Sequence, residues 1–332
     1  MLTAAIHTPA NLESIVIEQR PEPSIKAGTV KVRWHALSLN FHDYAVASGM
    51  MPTEHGRIPM SDGAGEIIEV GEGVSEWQCG DRVMSLFFPD WHNGDPSQDN
   101  TSRIGGDSVD GCATEISITD PANLSRIPNN YSYTEAATLT CAALTAWRAL
   151  VEVCNIKAGD SVLIEGSGGV SIFAVQLAKA LGATVYATSS SEEKMERLKQ
   201  LGADHVVNYR SDPLWGETIH HLSGGIDHVL DVGGGTTLEQ SISAAKVNGN
   251  LVPIGILGGL EANINLTQWM LKQLRIRPIA VGSREMQNRM VDFLETADFK
   301  PIIDCCFELP QLAEAFHYQL SGQHLGKICI NL

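Results

Sequence analysis

The stretch VLIEGSGGVSIFAVQLAKALGATVYATSSSEEK, residues 162–194, decides the fold. Val162, Leu163 and Ile164 form a short apolar run suited to a strand covered on both faces. Gly166, Gly168 and Gly169 follow at its carboxyl end, and a helix is expected from Val170. Glycine lets the backbone turn tightly and approach a pyrophosphate, while the free N–H groups and positive dipole end of the helix hold the anion. Ile172, Phe173, Leu177, Ala180 and Leu181 recur at spacings near three and four, and Gly182 stops the helix. A second strand, Thr184–Ala187, leads into Ser190 and Glu193 at capping-box spacing. Met195, Leu198 and Leu201 then line one face of a helix ending at Gly202. The order is βαβα. The plainer alternative is an αβ repeat whose glycines serve packing alone.

The whole chain sets the bounds. Its 332 residues, 43% hydrophobic, suffice for two cored domains. Net charge is −16, from 23 basic and 39 acidic side chains, and no lysine-arginine cluster follows a phosphate backbone. Nucleic acid and anionic membrane are therefore not expected partners. Seven scattered cysteines without a C-x-x-C pair suit a reducing cytoplasm better than a disulfide framework. The start, MLTAAIHTPANLESIVIEQR, lacks the basic and apolar regions of a signal peptide. The most apolar long stretch, 136–153, carries Thr138, Thr140, Thr145, Arg148 and Glu152, a poor membrane span.

Before about residue 125 the texture is short alternating segments, such as Val30–Trp34 and Glu66–Val70, between Pro and Gly turns, which suggests a β-rich, barrel-like domain. Beyond it, strands are expected at 162–164, 184–187, 205–207, 228–230, 250–254 and 276–281. Six such strands separated by helices suit a doubly wound parallel sheet, an α/β fold. The tail has helical stretches at 286–296 and 309–319 and a closing strand at 326–330, and is expected to return to the first domain. The domains thus read 1–124, 125–283 and 284–332. Residues 90–115, with six carboxylates against Arg103, read as a long surface lobe.

Several strings carry a resemblance: SLNFHDYAVASG (38–49), SDGAGEIIEVGEGV (61–74), CGDRV (79–83), EAATLTCAALTAWRAL (135–150), the glycine loop, LGADHVVNYR (201–210) and SGQHLGKICI (321–330). Together, and nearly end to end, they resemble the medium-chain dehydrogenase/reductase superfamily, in particular its zinc-independent quinone oxidoreductase-like and alcohol dehydrogenase-like members. The resemblance implies a GroES-like substrate domain joined to a Rossmann domain, with nicotinamide in the cleft between them, and by analogy a homodimer in which strand six pairs across a two-fold axis.

Zinc-dependent members hold catalytic zinc with Cys, His and usually a second Cys, donors that suit a tetrahedral ion with one open position. Here those positions carry Asn40, Ser61 and Cys141, so no zinc is expected. Asp62, where the family often places an acid, cannot supply three ligands alone. His42, Asp43 and His55 are available in principle, but no spacing demands them. Cys141 reads as a small apolar neighbour of the nicotinamide. Without metal, a positioned donor must stabilise negative charge on a carbonyl oxygen as hydride arrives, and the resemblance places Asn40 there. His42 either donates a hydrogen bond or proton, or contacts cofactor ribose or phosphate. Asp43 reads as an acid that caps or orients the following helix.

An acid at the end of the second strand would bind the ribose hydroxyls of NAD. This chain has Ser189, Ser190 and Ser191, with Lys194 and Tyr209 at positions that contact the 2′-phosphate in NADPH-using quinone oxidoreductases. NADP(H) is accordingly favoured over NAD. Ser167, Gly168, Gly169 and Val170 are the expected phosphate cradle. Gly233, Gly255 and Leu257, then Ser283 and Arg284, follow later strands and are expected cofactor contacts, although the glycine runs also read as plain turns. The resemblance brings Thr145 to the nicotinamide and Lys327 to the cleft. Phe41, Phe87, Asp62 and Cys141 are the expected substrate pocket, aromatics being equally suited to core. The expected activity is hydride transfer between NADP(H) and a small-molecule quinone, enone or other carbonyl. The alternatives are an alcohol or aldehyde dehydrogenase, with or without an atypical zinc, and an NADPH-binding crystallin-like structural or regulatory protein.

Overall fold

The computed structural model describes residues 1–332, which divide into two units: Met1–Leu144 with Val281–Leu332, and Thr145–Ala280. Tyr131 and the helix Tyr133–Ala137 belong to the first unit. Tyr131 is fully buried there and donates its hydroxyl to the Phe299 carbonyl, 3.1 Å away.

The first unit begins with a two-stranded pair, β1 (Leu2–Ile6) and β2 (Ile15–Gln19). Five further strands follow: β3 (Val30–Ser38), β4 (Asp62–Val70), β5 (Arg82–Ser85), β6 (Ile116–Thr119) and β7 (Leu124–Arg126). The second unit supplies β8 (Ser161–Glu165), β9 (Thr184–Ser189), β10 (His205–Asn208), β11 (Ile226–Asp231), β12 (Ala245–Pro253) and β13 (Arg275–Ile276). The tail adds β14 (Ile303–Glu308) and β15 (Lys327–Asn331) to the first unit, whose main sheet runs β14-β15-β3-β4-β5-β7 with β6 beside β3. All pairs in it are antiparallel except β14 with β15. Val30, Val32, Trp34, Ile67, Phe316 and Ile330 pack its core. Burying each such side chain contributes roughly 1.5–3 kcal/mol.

The second unit is the doubly wound sheet the sequence anticipates. Its order, β10-β9-β8-β11-β12-β13, is all parallel and reverses direction between β8 and β11. Crevices at such reversals, beyond the carboxyl ends of the strands, are where ligands bind. The helix after β8 spans Gly169–Ala180 and buries Ile172, Phe173 and Leu177. Two expectations need correction. The sixth strand, expected over 276–281, is confined to Arg275–Ile276, because Pro278 has no N–H to donate and Val281 turns to φ 45°. Its path still follows β12, through Arg277 and Ile279 amides bonded to Leu251 and Pro253 carbonyls. The helix after β9 is capped by Ser191, whose hydroxyl accepts the Lys194 amide, so the cap lies one residue beyond Ser190.

The 90–115 segment is only partly a surface lobe. Residues 93–100 are largely exposed around a short helix, Gln98–Thr101, and Arg103 pairs with Asp90. Trp91 is fully buried, however, and Cys112–Thr114 run through the core beside β1. No helix is long and apolar enough to cross a membrane.

Candidate active site and cofactor cradle

Strand register assembles the polar centre of the first unit from segments far apart in sequence. In β3, Ser38 lies opposite both Asp62 of β4 and Cys329 of β15. Asn40, just beyond β3, therefore meets Ser61 at the start of β4, and Lys327 at the start of β15. Lys327 Nζ donates to Asn40 Oδ1 and to the Leu39 carbonyl, each at 2.6 Å. Asn40 Nδ2 donates to Ser61 Oγ at 3.2 Å, and Ser61 Oγ donates to Asp62 Oδ1 at 2.9 Å. Asp62 Oδ2 accepts the Cys141 backbone amide at 3.2 Å. Asp43 closes the set from behind. Its carboxylate accepts Asn40 N at 2.9 Å, as the N3 acid of a capping box, and Ser61 N at 2.8 Å. Its expected structural role is thus what it performs here.

All of these side chains except Cys141 are under 9% exposed, and Asp62 is wholly buried. Burial pushes the Asp62 carboxyl up to about 7, with Lys327 opposing and Asp43 adding to the rise. Burial also pushes Asp43 up, against the pull of His42, of the Ser61 and Asn40 amides and of Lys327. Two buried acids around one ammonium therefore hold a proton that exchanges near neutral pH.

The other expected residues are more dispersed. His42 lies outside this set, its Nε2 3.2 Å from Asp107 Oδ2 and its ring edge-on to Phe87, with centroids 5.4 Å apart. Phe87 is buried with Phe88, whereas Phe41 is largely exposed. The Asp107 partnership spans the lobe, and no spacing in the sequence signals it. Ser61 and Lys327 are central in the structure, although the sequence singles out Ser61 only as a missing metal ligand.

In the second unit, Gly166 has φ 73°, and a methyl group on either Gly166 or Gly168 would meet open space. Neither residue is glycine because of a neighbour in the chain. Gly168 is the N-cap of the helix Gly169–Ala180 and no side chain caps that end, so its first-turn amides are left for another acceptor. By contrast, Gly233 and Gly255 are required by packing. A Cβ would strike Thr237 at 2.4 Å in the first case and the Val232 carbonyl at 2.3 Å in the second. Ser171, in place of a third glycine, is buried and donates to the Glu165 carbonyl at 2.6 Å.

At the end of β9, Ser189 is buried with its hydroxyl unpartnered, and Tyr209 donates its amide to the Ser189 carbonyl at 3.1 Å. Ser190, Lys194 and Tyr209 share this corner, all at least partly exposed. An orphaned buried hydroxyl and an open glycine turn at the carboxyl edge of a parallel sheet fit a dinucleotide. Leu257 is exposed in the loop beyond β12. Ser283 and Arg284 make contacts within the first unit: Ser283 caps the helix Arg284–Leu294, and Arg284 bonds the Leu124 carbonyl and pairs with Glu76. Lys327 likewise serves the polar centre of the first unit.

Beneath the cradle, at the β8/β11 reversal, lies a buried carboxyl pair the sequence did not reveal. Glu165 Oε2 accepts the Val232 and Gly233 amides at 3.1 and 3.2 Å, and Asp231 Oδ1 accepts Gly234 N at 2.7 Å. Ser241 Oγ sits 2.6 Å from Glu165 Oε1 and 2.7 Å from Asp231 Oδ2. A hydroxyl has one proton, so one of these contacts needs a proton from a carboxyl. Burial, reinforced by Asp231, pushes Glu165 up to about 8 and makes it the holder of that proton.

The donors of this centre are an amide, a hydroxyl, an ammonium and carboxylates already bonded to the chain, and no three His, Cys, Asp or Glu side chains cluster.

A parallel dinucleotide-type sheet joined to a β-rich unit with a polar, proton-holding centre defines a two-unit dehydrogenase architecture. The profile described as "Alcohol dehydrogenase GroES-like domain" matches residues 26–129, and "Zinc-binding dehydrogenase" matches 169–296. The zinc-type alcohol dehydrogenase-like protein C1773.06c of Schizosaccharomyces pombe is 39% identical over 318 residues, covering 93% of this chain and 92% of that protein. Among solved structures, one assigned as an alcohol dehydrogenase of Sinorhizobium meliloti 1021 superposes with a TM-score of 0.93 at 33% identity, over 100% of this chain and 99% of that one. An NAD-dependent alcohol dehydrogenase superposes with a TM-score of 0.92 at 29% identity, over 100% of both. The chain belongs to the medium-chain dehydrogenase/reductase superfamily, among its alcohol dehydrogenase-like oxidoreductases.

Proposed function

We propose that this protein is a zinc-independent, NADP(H)-preferring oxidoreductase acting on a quinone, enone or other small carbonyl substrate. The observation that supports the proposal is the Lys327–Asn40–Ser61–Asp62 hydrogen-bond chain, which joins a buried ammonium to a carboxyl raised to about 7. When bound, the nicotinamide would supply or accept the hydride. Lys327 and Asn40 supply donors to the carbonyl oxygen as negative charge develops, and Asp62 gives or takes the proton through Ser61. Ser167, Gly168, Gly169 and Val170 hold the pyrophosphate, and Ser190, Lys194 and Tyr209 hold the 2′-phosphate. Absorbance at 340 nm, with NADPH and an α,β-unsaturated ketone or ortho-quinone, tests the reading. Oxidation that survives a chelator is the expected result. Loss of activity restored by zinc would establish the second reading, an alcohol dehydrogenase with an atypical metal site, which the name of the Schizosaccharomyces relative favours.

In the reduction direction Asp62 must carry its proton, so kcat is expected to fall as pH rises through about 7. Asp62→Asn should lower kcat and remove that limb of the profile. A limb that survives the substitution assigns the proton elsewhere.

Lys194→Ala is expected to raise the NADPH KM about tenfold, on the order of 1 to 2 kcal/mol for a charge-assisted contact, with little change for NADH. Equal effects on both cofactors, or equal use of both by the unaltered enzyme, would remove the NADP assignment.

The same reading makes the protein a cytoplasmic homodimer. Supporting it are seven free cysteines and a second-unit sheet that ends at the unpaired edge of β13. Exposed Leu260, Leu266, Met270 and Leu271 lie in the segment before that strand. Sedimentation as a monomer at micromolar concentration would overturn the dimer.

A further inference from the structure

β14 and β15 run parallel, and their register sets Cys306 opposite Cys329. Neighbouring strands lie about 4.8 Å apart, inside the roughly 4.4–6.8 Å Cα separation that a disulfide spans. The side chains leave the same face of the sheet, as directly opposed residues of a parallel pair do. Their surroundings differ. Cys306 is exposed on β14, the edge strand, whereas Cys329 is fully buried, 3.8 Å from the Thr134 carbonyl oxygen.

The neighbouring Cys306 sulfur, and then burial, hold the Cys329 thiol well above its ordinary range. The Cys329 thiol beside it draws Cys306 down to about 7, so the accessible sulfur is the one that ionises. Cys305, the adjacent cysteine, points to the opposite face by strand alternation, and burial with Asp304 pushes its thiol up to about 11.

We propose that Cys306 and Cys329 are a peroxide-oxidised pair that closes a reversible disulfide across β14 and β15. The Cys306 thiolate attacks one oxygen of a hydroperoxide. The S–O bond forms, the O–O bond breaks, sulfur gives up two electrons, and the departing oxygen takes a solvent proton to leave as water or an alcohol. Cys329 Sγ then attacks the sulfenic sulfur. The S–S bond forms, the S–O bond breaks, and the departing hydroxide takes the Cys329 proton and leaves as water.

The test is peptide mass spectrometry of the intact chain after brief hydrogen peroxide treatment and alkylation of remaining thiols. A Cys306–Cys329 linked peptide, lighter by two hydrogens and released by dithiothreitol, is expected in the wild type and in Cys305→Ser. Cys306→Ser should form no link. Cys329→Ser should leave a Cys306 sulfenic acid that dimedone labels. A Cys305–Cys306 link instead, or Cys306 passing to sulfinic acid while Cys329 stays alkylatable on unfolding, overturns the proposal.

Discussion

Replacing Lys327 by methionine is expected to lower kcat by a factor on the order of 10²–10³, the usual effect of deleting a donor aimed at a developing oxyanion. It is also expected to destabilise the first unit by about 3–5 kcal/mol, since the buried Asp43 and Asp62 would lose the cation that offsets them. The two effects have different origins and separate in the double variant Lys327→Met with Asp62→Asn. Removing the Asp62 charge relieves the buried imbalance, so stability should recover by a large part of the loss. Activity should not recover, because neither the Lys327 ammonium nor the Asp62 carboxyl remains. Steady-state kinetics beside denaturant unfolding reads both. If kcat in Lys327→Met stays near the wild-type value, Lys327 only positions Asn40, and the donor to the substrate oxygen is another group.

The second large effect concerns Glu165. Its carboxyl titrates ordinarily near 4.5 and is raised to about 8 in the folded protein, so between these values the native state keeps a proton that the unfolded chain gives up. Stability from this group is therefore complete at acidic pH and is lost as pH rises from about 5 to 8. The slope reaches about 1.4 kcal/mol per pH unit, from one proton's linkage. Glu165→Gln retains a donor for Ser241 and an acceptor for the Val232 and Gly233 amides, but cannot ionise. It should be the less pH-sensitive protein and the more stable one at pH 8 to 9. Glu165→Ala leaves those two amides without their acceptor in the interior and should cost about 3 kcal/mol or more at acidic pH, a cost that shrinks as pH rises toward 8 and the wild type loses the Glu165 contribution. Urea unfolding from pH 6 to 9 distinguishes the variants, and parallel curves for wild type and Glu165→Gln would show that Glu165 is ionised throughout.

Much of the second unit is legible in sequence because its strands are short apolar runs and its turns are glycines, signals carried by neighbouring residues. The sixth strand is misread where apolar content argues for a strand that Pro278 ends. The cap at Ser191 is misread because three consecutive serines offer equivalent hydroxyls, and only the backbone selects one.

The polar centre is harder to read. Asn40, Ser61, Asp62 and Cys141 stand out by resemblance, yet what joins them to Lys327 is the register of β15 on β3, a pairing across nearly the whole chain. The same holds for Glu165 with Asp231 and for Cys306 with Cys329. Each pair is set by which strands adjoin in a sheet, and strand adjacency leaves no local trace in composition or spacing.

The division of the first unit between two separated segments also sets an order of assembly. Thr145–Ala280 is contiguous, so the cofactor-type sheet can bury its core as soon as it has been synthesised. The β-rich unit must wait with Ala36–Ser38 of β3 uncovered on one side until Lys327–Asn331 emerges to pair with it, β6 covering only Val30–Arg33. During translation the parallel-sheet unit can therefore be finished while the β-rich unit still lacks two of its strands.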